Sequence, residues 1–321
     1  MIMLARIAES LYWLGRLTER AESTSRMLEV QHYASLEAEE TGLSSWEPIL
    51  AVLGQLTSFK EEYEYASSEN VIDYMVFGVR NPSSVVECIK QARENARGSR
   101  EMIPQELWRI LNVTFHEIVN FNMDLVRREG PDKFFNFIKE KGYLIQGVIN
   151  STMFRGLGYQ FLQAGKYMER ADQTARILDV KAKYLSYSGS ISAKEETLDI
   201  YRWKTLLNSV GSYEAYVKTY GTKIDPTHVS ELLIFDTFLP RSLLFCIERT
   251  KIAISEITIE KEKYYSNRME QMLGKLFHQL AYSSIDEVLN TGLHEFLSKF
   301  ISEISNITFE MNYSYFGSTK S

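Results

Sequence analysis

The sequence contains few cysteines, which could cross-link the fold, and few prolines and glycines, which interrupt helices. It contains only two cysteines, Cys88 and Cys246, in 321 residues, too few for a disulfide framework and consistent with a reducing cytoplasm. Six prolines and 17 glycines leave room for long uninterrupted helices. With 45% hydrophobic residues, the chain can still bury a sizeable core. We therefore expect a helical, cytoplasmic protein.

Two further absences concern membranes and nucleic acids. No apolar run approaches the ~20 residues that a membrane span needs. The apolar start, residues 1–5, meets Arg6 and Glu9 at once and so lacks the core of a signal peptide. A net charge of -6 provides no basic field for nucleic acid or an anionic membrane. We expect neither kind of partner.

The clearest positive feature is an internal repeat. Residues 15–30 match residues 165–180 without a gap, and two shorter blocks follow in the same order, while residues 93–150 and 251–321 do not align. This predicts a tandem duplication of a unit of roughly 150 residues. The expected units are residues 1–150 and 151–321, packed as one globular body, with the junction near Tyr143 to Thr152. The shorter blocks pair residues 46–63 with 203–220 and residues 71–88 with 229–246.

Apolar periodicity predicts helices throughout and no strands. The fold class is therefore predicted to be all-α, a helical bundle whose two units are related by a pseudo-twofold axis. Asn81 is expected to cap a helix with Pro82 at its first position, and Pro240 to open the equivalent helix. The predicted helices are 4–36, 46–66, 81–102, 105–129, 131–141 and 154–185, with long helices filling 264–310.

The repeated block carries the same charges at the same spacing in both copies. Steps of three and four residues place Gly15, Glu19, Glu22 and Arg26 along one helical face. A pseudo-twofold axis could bring the two faces together as a polar channel. The candidate binding residues on them are Arg16, Glu19, Arg20, Glu22, Arg26, Glu169, Arg170, Asp172 and Arg176.

The same charges also fit a purely structural salt-bridge network. Glu22 with Arg26, and Asp172 with Arg176, are i, i+4 pairs of favourable orientation. If buried, such a network fixes the docking of the two halves without doing chemistry. Structural, ligand-binding and catalytic interpretations therefore remain open for this face.

A second group of candidate binding residues is the basic stripe Arg93, Arg97 and Arg100, which could bind phosphate or a partner's carboxylates. Glu94 and Glu101 lie within reach of Arg97, so a solvated ion-pair face is the alternative.

Other patterns predict no metal or cofactor. Glu29 and His32 have the Glu-x-x-His spacing of carboxylate-bridged metal sites, but the equivalent segment at Asp179 has no histidine. Cys88 and Cys246 sit among apolar neighbours and are expected to be small buried hydrophobes rather than reactive thiols. We find no Gly-rich phosphate loop and no nucleophile elbow.

The segment Ala8-Glu9-Ser10-Leu11-Tyr12-Trp13-Leu14-Gly15-Arg16, followed by Glu19-Arg20-Ala21-Glu22, resembles the bacterial alpha-E domain family. The segment Glu169-Arg170-Ala171-Asp172, continuing to Lys181, is similar to that family's internal copy. The resemblance implies partners, because genes of this family lie beside, or are fused to, a circularly permuted ATP-grasp ligase and a transglutaminase-like peptidase. It implies no catalytic residue.

These observations favour a non-catalytic helical partner of an ATP-grasp amide-bond ligase, which binds the ligase or its peptide substrate. The alternative is an enzyme that acts on amide bonds through the duplicated Glu/Arg face. A third possibility is a bundle that binds a metal or small ligand between the copies.

Overall fold

The computed structural model describes residues 3–38, 45–185, 193–258 and 265–317. These ranges contain sixteen α-helices, a π-helical turn (Asp73–Phe77) and a 3₁₀ turn (Arg100–Met102), and no strand, so the all-α prediction is confirmed. No helix within them is long and apolar enough to cross a bilayer. In chain order the helices are α1 (Ala5–Ala38), α2 (Glu47–Val52), α3 (Leu56–Lys60), α4 (Ser68–Ile72), α5 (Val85–Gly98), α6 (Gln105–Ile118), α7 (Met123–Glu129), α8 (Asp132–Thr152), α9 (Leu157–Leu185), α10 (Ala193–Ser209), α11 (Tyr213–Tyr220), α12 (Pro226–Phe235), α13 (Leu243–Ile257), α14 (Arg268–Tyr282), α15 (Ile285–Thr291) and α16 (Leu293–Phe316).

The two longest helices, α1 and α9, pack against each other at the centre of the molecule. A Cβ atom added to Gly158 of α9 would lie 3.2 Å from Leu11 Cδ1, and further along α1 the Glu19 side chain reaches Arg170. Because the contacting positions advance together along both helices, α1 and α9 run in the same direction. This parallel arrangement brings the two repeated charged segments side by side.

The other helices surround this central pair. α5 and α8 pack on α1, whereas α13 and α16 pack on α9. α6 bridges α5 and α8, and α14 bridges α13 and α16. The short α2 crosses to α9, and α10 crosses to α1, so each half of the chain also contacts the long helix of the other half.

The predicted helix 46–66 is wrong, because two short helices occupy this segment. α2 ends at Val52, and Gly54 adopts a φ of 66°, a left-handed conformation that favours glycine and ends the helix. α3 then begins at Leu56.

The predicted cap of the helix that follows Pro82 is also wrong. Ser84 is the cap, since its hydroxyl accepts a hydrogen bond from the Glu87 amide at 3.4 Å. The Asn81 side chain instead accepts from the Ser83 amide at 2.9 Å, within the preceding turn. Ser242 caps α13 in the same way, so Pro240 also precedes its helix rather than opening it.

Three further boundaries differ from the predictions. The expected helix 105–129 is divided into α6 and α7 by a new cap at Asn122, and the expected helix 131–141 continues to Thr152 as α8. The segment 143–152, where the junction of the two units is expected, is therefore the C-terminal part of α8. The expected long helices of 264–310 are α14, α15 and α16.

Candidate functional site

The site begins with a close approach of two backbones. A Cβ atom added to Gly15 would lie 2.1 Å from the Leu162 carbonyl oxygen, and one added to Gly165 would lie 2.0 Å from the Tyr12 carbonyl oxygen. Only glycine fits at either position, because any side chain would push α1 and α9 apart. This contact brings the charged residues one turn later on each helix within hydrogen-bonding distance of the other helix.

One of the two acidic side chains at the crossing is Glu19. The Arg170 guanidinium donates to both of its oxygens, with Nε 2.7 Å from Oε1 and Nη2 2.8 Å from Oε2. Arg241, from the turn before α13, adds a third hydrogen bond from Nη1 to Oε1 at 3.1 Å. Only 3% of Glu19 is exposed, so its charge is compensated inside the protein rather than by water.

Glu169 has the reciprocal arrangement. The Arg20 guanidinium donates to both oxygens, with Nε 2.6 Å from Oε1 and Nη2 2.9 Å from Oε2. Arg16 adds a hydrogen bond from Nε to Oε2 at 2.8 Å. We call the set Glu19, Arg20, Glu169, Arg170, Arg16 and Arg241 the Glu–Arg cluster. It is a buried network of charge-assisted, two-pronged pairs that joins α1 to α9.

The cluster strongly favours the ionised carboxylates. Burial alone would raise the pKa of Glu19, but the positive charges of Arg170 and Arg241 outweigh this and lower it to about 2. Burial likewise opposes the charge of Glu169, yet Arg20 and Arg16 hold its pKa even further below the ordinary value. Neither carboxylate is therefore available as a proton acceptor near neutral pH.

Further residues of the predicted face surround the cluster. The i, i+4 pairs are both present: Arg26 Nη2 donates to Glu22 Oε1, and Arg176 Nε donates to Asp172 Oδ2 at 2.9 Å. Arg241 also reaches Glu22, with Nη2 2.8 Å from Oε2. All nine candidates of the two repeated segments thus lie in the Glu–Arg cluster or in ion pairs one or two turns from it, although the sequence could not say that the central pairs run between helices.

Sequence reasoning missed Arg241. Its guanidinium contacts Glu19, Glu22 and the Ser23 hydroxyl, so it links the second half of the chain to α1. The aligned position in the first half is Ser83, to which Arg20 donates at 3.5 Å. A search for repeated charges could not find Arg241, because the charge occurs in only one copy.

Lys166 was also missed, although it aligns with Arg16 in the repeat. Only 5% of Lys166 is exposed, and none of the described carboxylates lies within ion-pair distance of its ammonium group. Burial, with Arg170 and Arg241 nearby, lowers its pKa to about 8 against the opposing effect of Glu19. The two halves of the network are therefore not electrostatically equal.

The stripe Arg93, Arg97 and Arg100 lies apart from this network, on α5 and the turn that follows it. Arg93 and Arg97 both pair with Glu94, at 2.6 Å and 2.8 Å. The Arg100 guanidinium carbon lies 4.9 Å from the centre of the Trp108 ring. These arginines form a partly solvated surface of cations and aromatic rings.

Cys88 and Cys246 are fully buried, as predicted. Each thiol lies against the carbonyl of a proline in the turn before its helix, Pro82 at 3.9 Å and Pro240 at 3.5 Å. Burial raises the pKa of both thiols to about 12, so the reactive thiolate is suppressed in the folded protein.

Glu29, the acidic residue of the Glu-x-x-His pattern in α1, forms an ion pair with a lysine. Lys139 of α8 donates to both oxygens of Glu29 at 2.6 Å. Asp179, which aligns with Glu29 in the repeat, lies 2.5 Å from His294 Nδ1 on α16. In the ranges that the structure describes, no group of three or more His, Cys, Asp or Glu side chains is arranged to hold a metal ion.

Comparison with known proteins identifies the family. The Alpha-E family, described as a predicted alpha-helical domain with a conserved ER motif, matches residues 3–316. An uncharacterized protein of Mycobacterium bovis is 23% identical over 93% of this chain and 35% of its own length. Uncharacterized proteins of two Mycobacterium tuberculosis strains match with the same identity and coverage. The chain thus spans about a third of the length of these relatives. No solved structure matches.

Proposed function

The chain belongs to the Alpha-E family, and on that premise we propose that it is a non-catalytic helical accessory protein. It binds an ATP-grasp amide-bond ligase or that ligase's peptide substrate, in a cytoplasmic system that includes a transglutaminase-like peptidase. We assign the ER motif of the family description to Glu19-Arg20 and Glu169-Arg170, the Glu-Arg dipeptides of the repeated segments. Their role in this proposal is to hold the protein together.

The reciprocal pairing of these two dipeptides is the observation that carries the proposal. A general base must accept a proton near the working pH, and a general acid must release one there. Glu19, with a pKa of about 2, does neither, and its two oxygens are already occupied by Arg170. The same holds for Glu169 with Arg20. This supports a structural role for the Glu–Arg cluster over the catalytic alternative.

A tandem duplication into residues 1–150 and 151–321 is part of the proposal. It is supported by the reciprocal ion pairs and by two glycines with φ of 66° and 60°, Gly54 and Gly211. A Cβ on Gly54 would lie 3.9 Å from Arg176, and one on Gly211 would lie 3.1 Å from Arg26. The succession α5 to α8 also parallels the succession α13 to α16 in order and in packing. In this proposal, each unit thus contributes residues that pack against the long helix of the other unit.

The choice of partner rests on the family resemblance. We propose that the neighbouring ATP-grasp ligase binds the nucleotide and Mg²⁺ and carries out the reaction, while this chain supplies a binding surface. The stripe Arg93, Arg97 and Arg100 is the candidate surface, because the Arg97 side chain is 65% exposed and could pair with carboxylates of a partner.

The experiment is co-purification of this chain with an ATP-grasp ligase from the same genome, followed by ATP turnover of the ligase with and without the chain. A stable complex with altered turnover supports the accessory role. Arg97→Glu should weaken the complex, whereas Arg127→Glu, an exposed arginine on α7, serves as the matched control. Separate elution with unchanged turnover contradicts the proposal and leaves the catalytic alternative to be tested on the Glu/Arg face.

A further inference from the structure

A pocket of about 340 Å³ opens beside the charged network, between α2, α9 and α16. This volume is at the lower end of the range found for small-molecule sites and is large enough for one ring-sized group. Its lining includes Ala51 and Val52 from α2, Arg176 and Val180 from α9, and Ser298 and Ile301 from α16.

The polar wall of the pocket is built by α9 and α16. Asp179, which also lines the pocket, lies 2.5 Å from His294 Nδ1, and the Ser298 hydroxyl lies 3.3 Å from the same nitrogen. This contact docks α16 on α9 and places Ser298, one turn further along α16, at the edge of the pocket.

Arg176 supplies the hydrogen-bond donors of the pocket. Its Nε donates to Asp172 at 2.9 Å, which holds the guanidinium in place. Its Nη groups donate to no other side chain among the described residues, and the side chain is 33% exposed. A fixed guanidinium with free donors beside apolar walls can take a flat group that carries an oxygen acceptor.

In the first half of the chain, the equivalent arginine contacts a tyrosine side chain. Arg26, which aligns with Arg176, donates from Nη2 to the Tyr143 hydroxyl at 3.1 Å, and its guanidinium carbon lies 5.9 Å from the centre of the Tyr143 ring. The Arg26 side chain is only 14% exposed, less than half of the value for Arg176. Tyr143 therefore covers the first arginine, and among the described residues no aromatic side chain makes the same contact with the second.

Tyr143 and Ser298 hold the same position relative to the ion pair that docks their helix. Tyr143 lies four residues after Lys139, the partner of Glu29, and Ser298 lies four residues after His294, the partner of Asp179. Four residues is about one helical turn, so both side chains project from the same face of α8 and α16 toward the arginine. Where the first half carries a phenol, the second half has a hydroxymethyl group and an open pocket.

We propose that the pocket at Arg176 binds a tyrosine side chain presented by a peptide, in the way that Arg26 holds Tyr143. The ring lies against Arg176 between Val52 and Ile301, and its hydroxyl oxygen accepts a hydrogen bond from an Nη group. This inference rests on the comparison of the two halves and does not depend on the identity of any ligase.

The test is a titration of the isotope-labelled full chain with N-acetyltyrosinamide, followed by amide chemical shifts in an NMR spectrum. We expect saturable shifts at Ser298 and Ile301 with a dissociation constant on the order of 0.1–1 mM. N-acetylphenylalaninamide, which lacks the hydroxyl, should bind roughly tenfold more weakly. Absence of shifts in this region up to about 10 mM ligand overturns the proposal, and equal binding of the two probes overturns the role assigned to the hydroxyl.

Two variants make the comparison of the halves direct. Ser298→Tyr should fill the pocket and abolish the shifts, while Tyr143→Ser should open a second site with new shifts near Arg26. If Ser298→Tyr does not fold, Ala51→Phe narrows the pocket from the α2 side and should have the same effect. Retention of native binding in a folded pocket-filling variant would show that the probe binds elsewhere and would refute the assignment.

Discussion

The Glu19 carboxylate accepts two hydrogen bonds from Arg170, with Nε 2.7 Å from Oε1 and Nη2 2.8 Å from Oε2. Arg20 makes the same two-pronged contact with Glu169 in the opposite direction. Each long helix thus contributes one carboxylate and one guanidinium. These four groups form two buried, reciprocal ion pairs. A shift of one helix along the other by one turn, about 5.4 Å, would separate all four charges. The arrangement therefore specifies how α1 and α9 dock.

Substitution of the crossing-point glycine tests the close approach of the helices. In Gly15→Ala the new Cβ would lie 2.1 Å from the Leu162 carbonyl oxygen, so α1 and α9 must move apart and the ion pairs must lengthen. We expect the free energy of unfolding to fall by at least about 1–3 kcal/mol, measured by urea denaturation.

Gly147→Ala is the matched control for this substitution. Gly147 lies within α8, and a Cβ there meets no atom within 4 Å. Alanine should stabilise this helix by about 0.5–1 kcal/mol relative to glycine. If Gly15→Ala also raised stability, the backbone contact between α1 and α9 would not exist as described.

The pairing of Glu19 predicts a loss of stability in acid. Glu19 has its ordinary pKa of 4.5 in the unfolded chain and a pKa of about 2 in the folded protein. Its contribution is therefore fully present above pH 4.5 and is lost as the pH falls toward 2. The shift corresponds to about 3 kcal/mol from this group.

Urea denaturation at a series of pH values between about 6 and 2 measures this dependence. The native protein should lose stability steeply below pH 4.5, and Glu19→Gln should show a smaller decline over the same range. Identical pH profiles for the two proteins would mean that Glu19 titrates normally when folded.

The two cysteines provide a test of burial in different parts of the molecule. Because burial raises the pKa of Cys88 and Cys246 to about 12, neither thiol should react with a disulfide reagent at about pH 8 while the protein is folded. Both should react once concentrated guanidinium chloride unfolds the chain. Rapid labelling of the folded protein would contradict the placement of either thiol.

Much of the fold is visible in the sequence because its main elements are long and periodic. The apolar stripe of α1 predicts that helix almost to its ends, and the self-match with residues 165–180 locates α9. The break after α2 is not visible in the same way, because Gly54 ends a helix only through its left-handed backbone conformation. Glycines within helices, such as Gly147, look the same in the sequence.

The candidate site could be predicted only as a set of charges. Spacing identifies local pairs such as Glu22 with Arg26, since both residues lie on one helix. The partner of Glu19 depends on the relative position of two helices 150 residues apart in the chain, which no local pattern encodes. The role of Arg241 could not be predicted from the repeat either, because its charge appears in one half alone.

The central claim is that the Glu–Arg cluster joins the two long helices, and a double-mutant cycle on Glu19 and Arg170 tests it most directly. Each single variant, Glu19→Gln or Arg170→Met, leaves a buried charge without its partner and should lower the free energy of unfolding by about 3–5 kcal/mol. The double variant should lose less than the sum of the two effects, by about 1–3 kcal/mol. If both single variants unfold at the same urea concentration as the native protein, or if their effects simply add, the two residues do not form a structural pair and the claim fails.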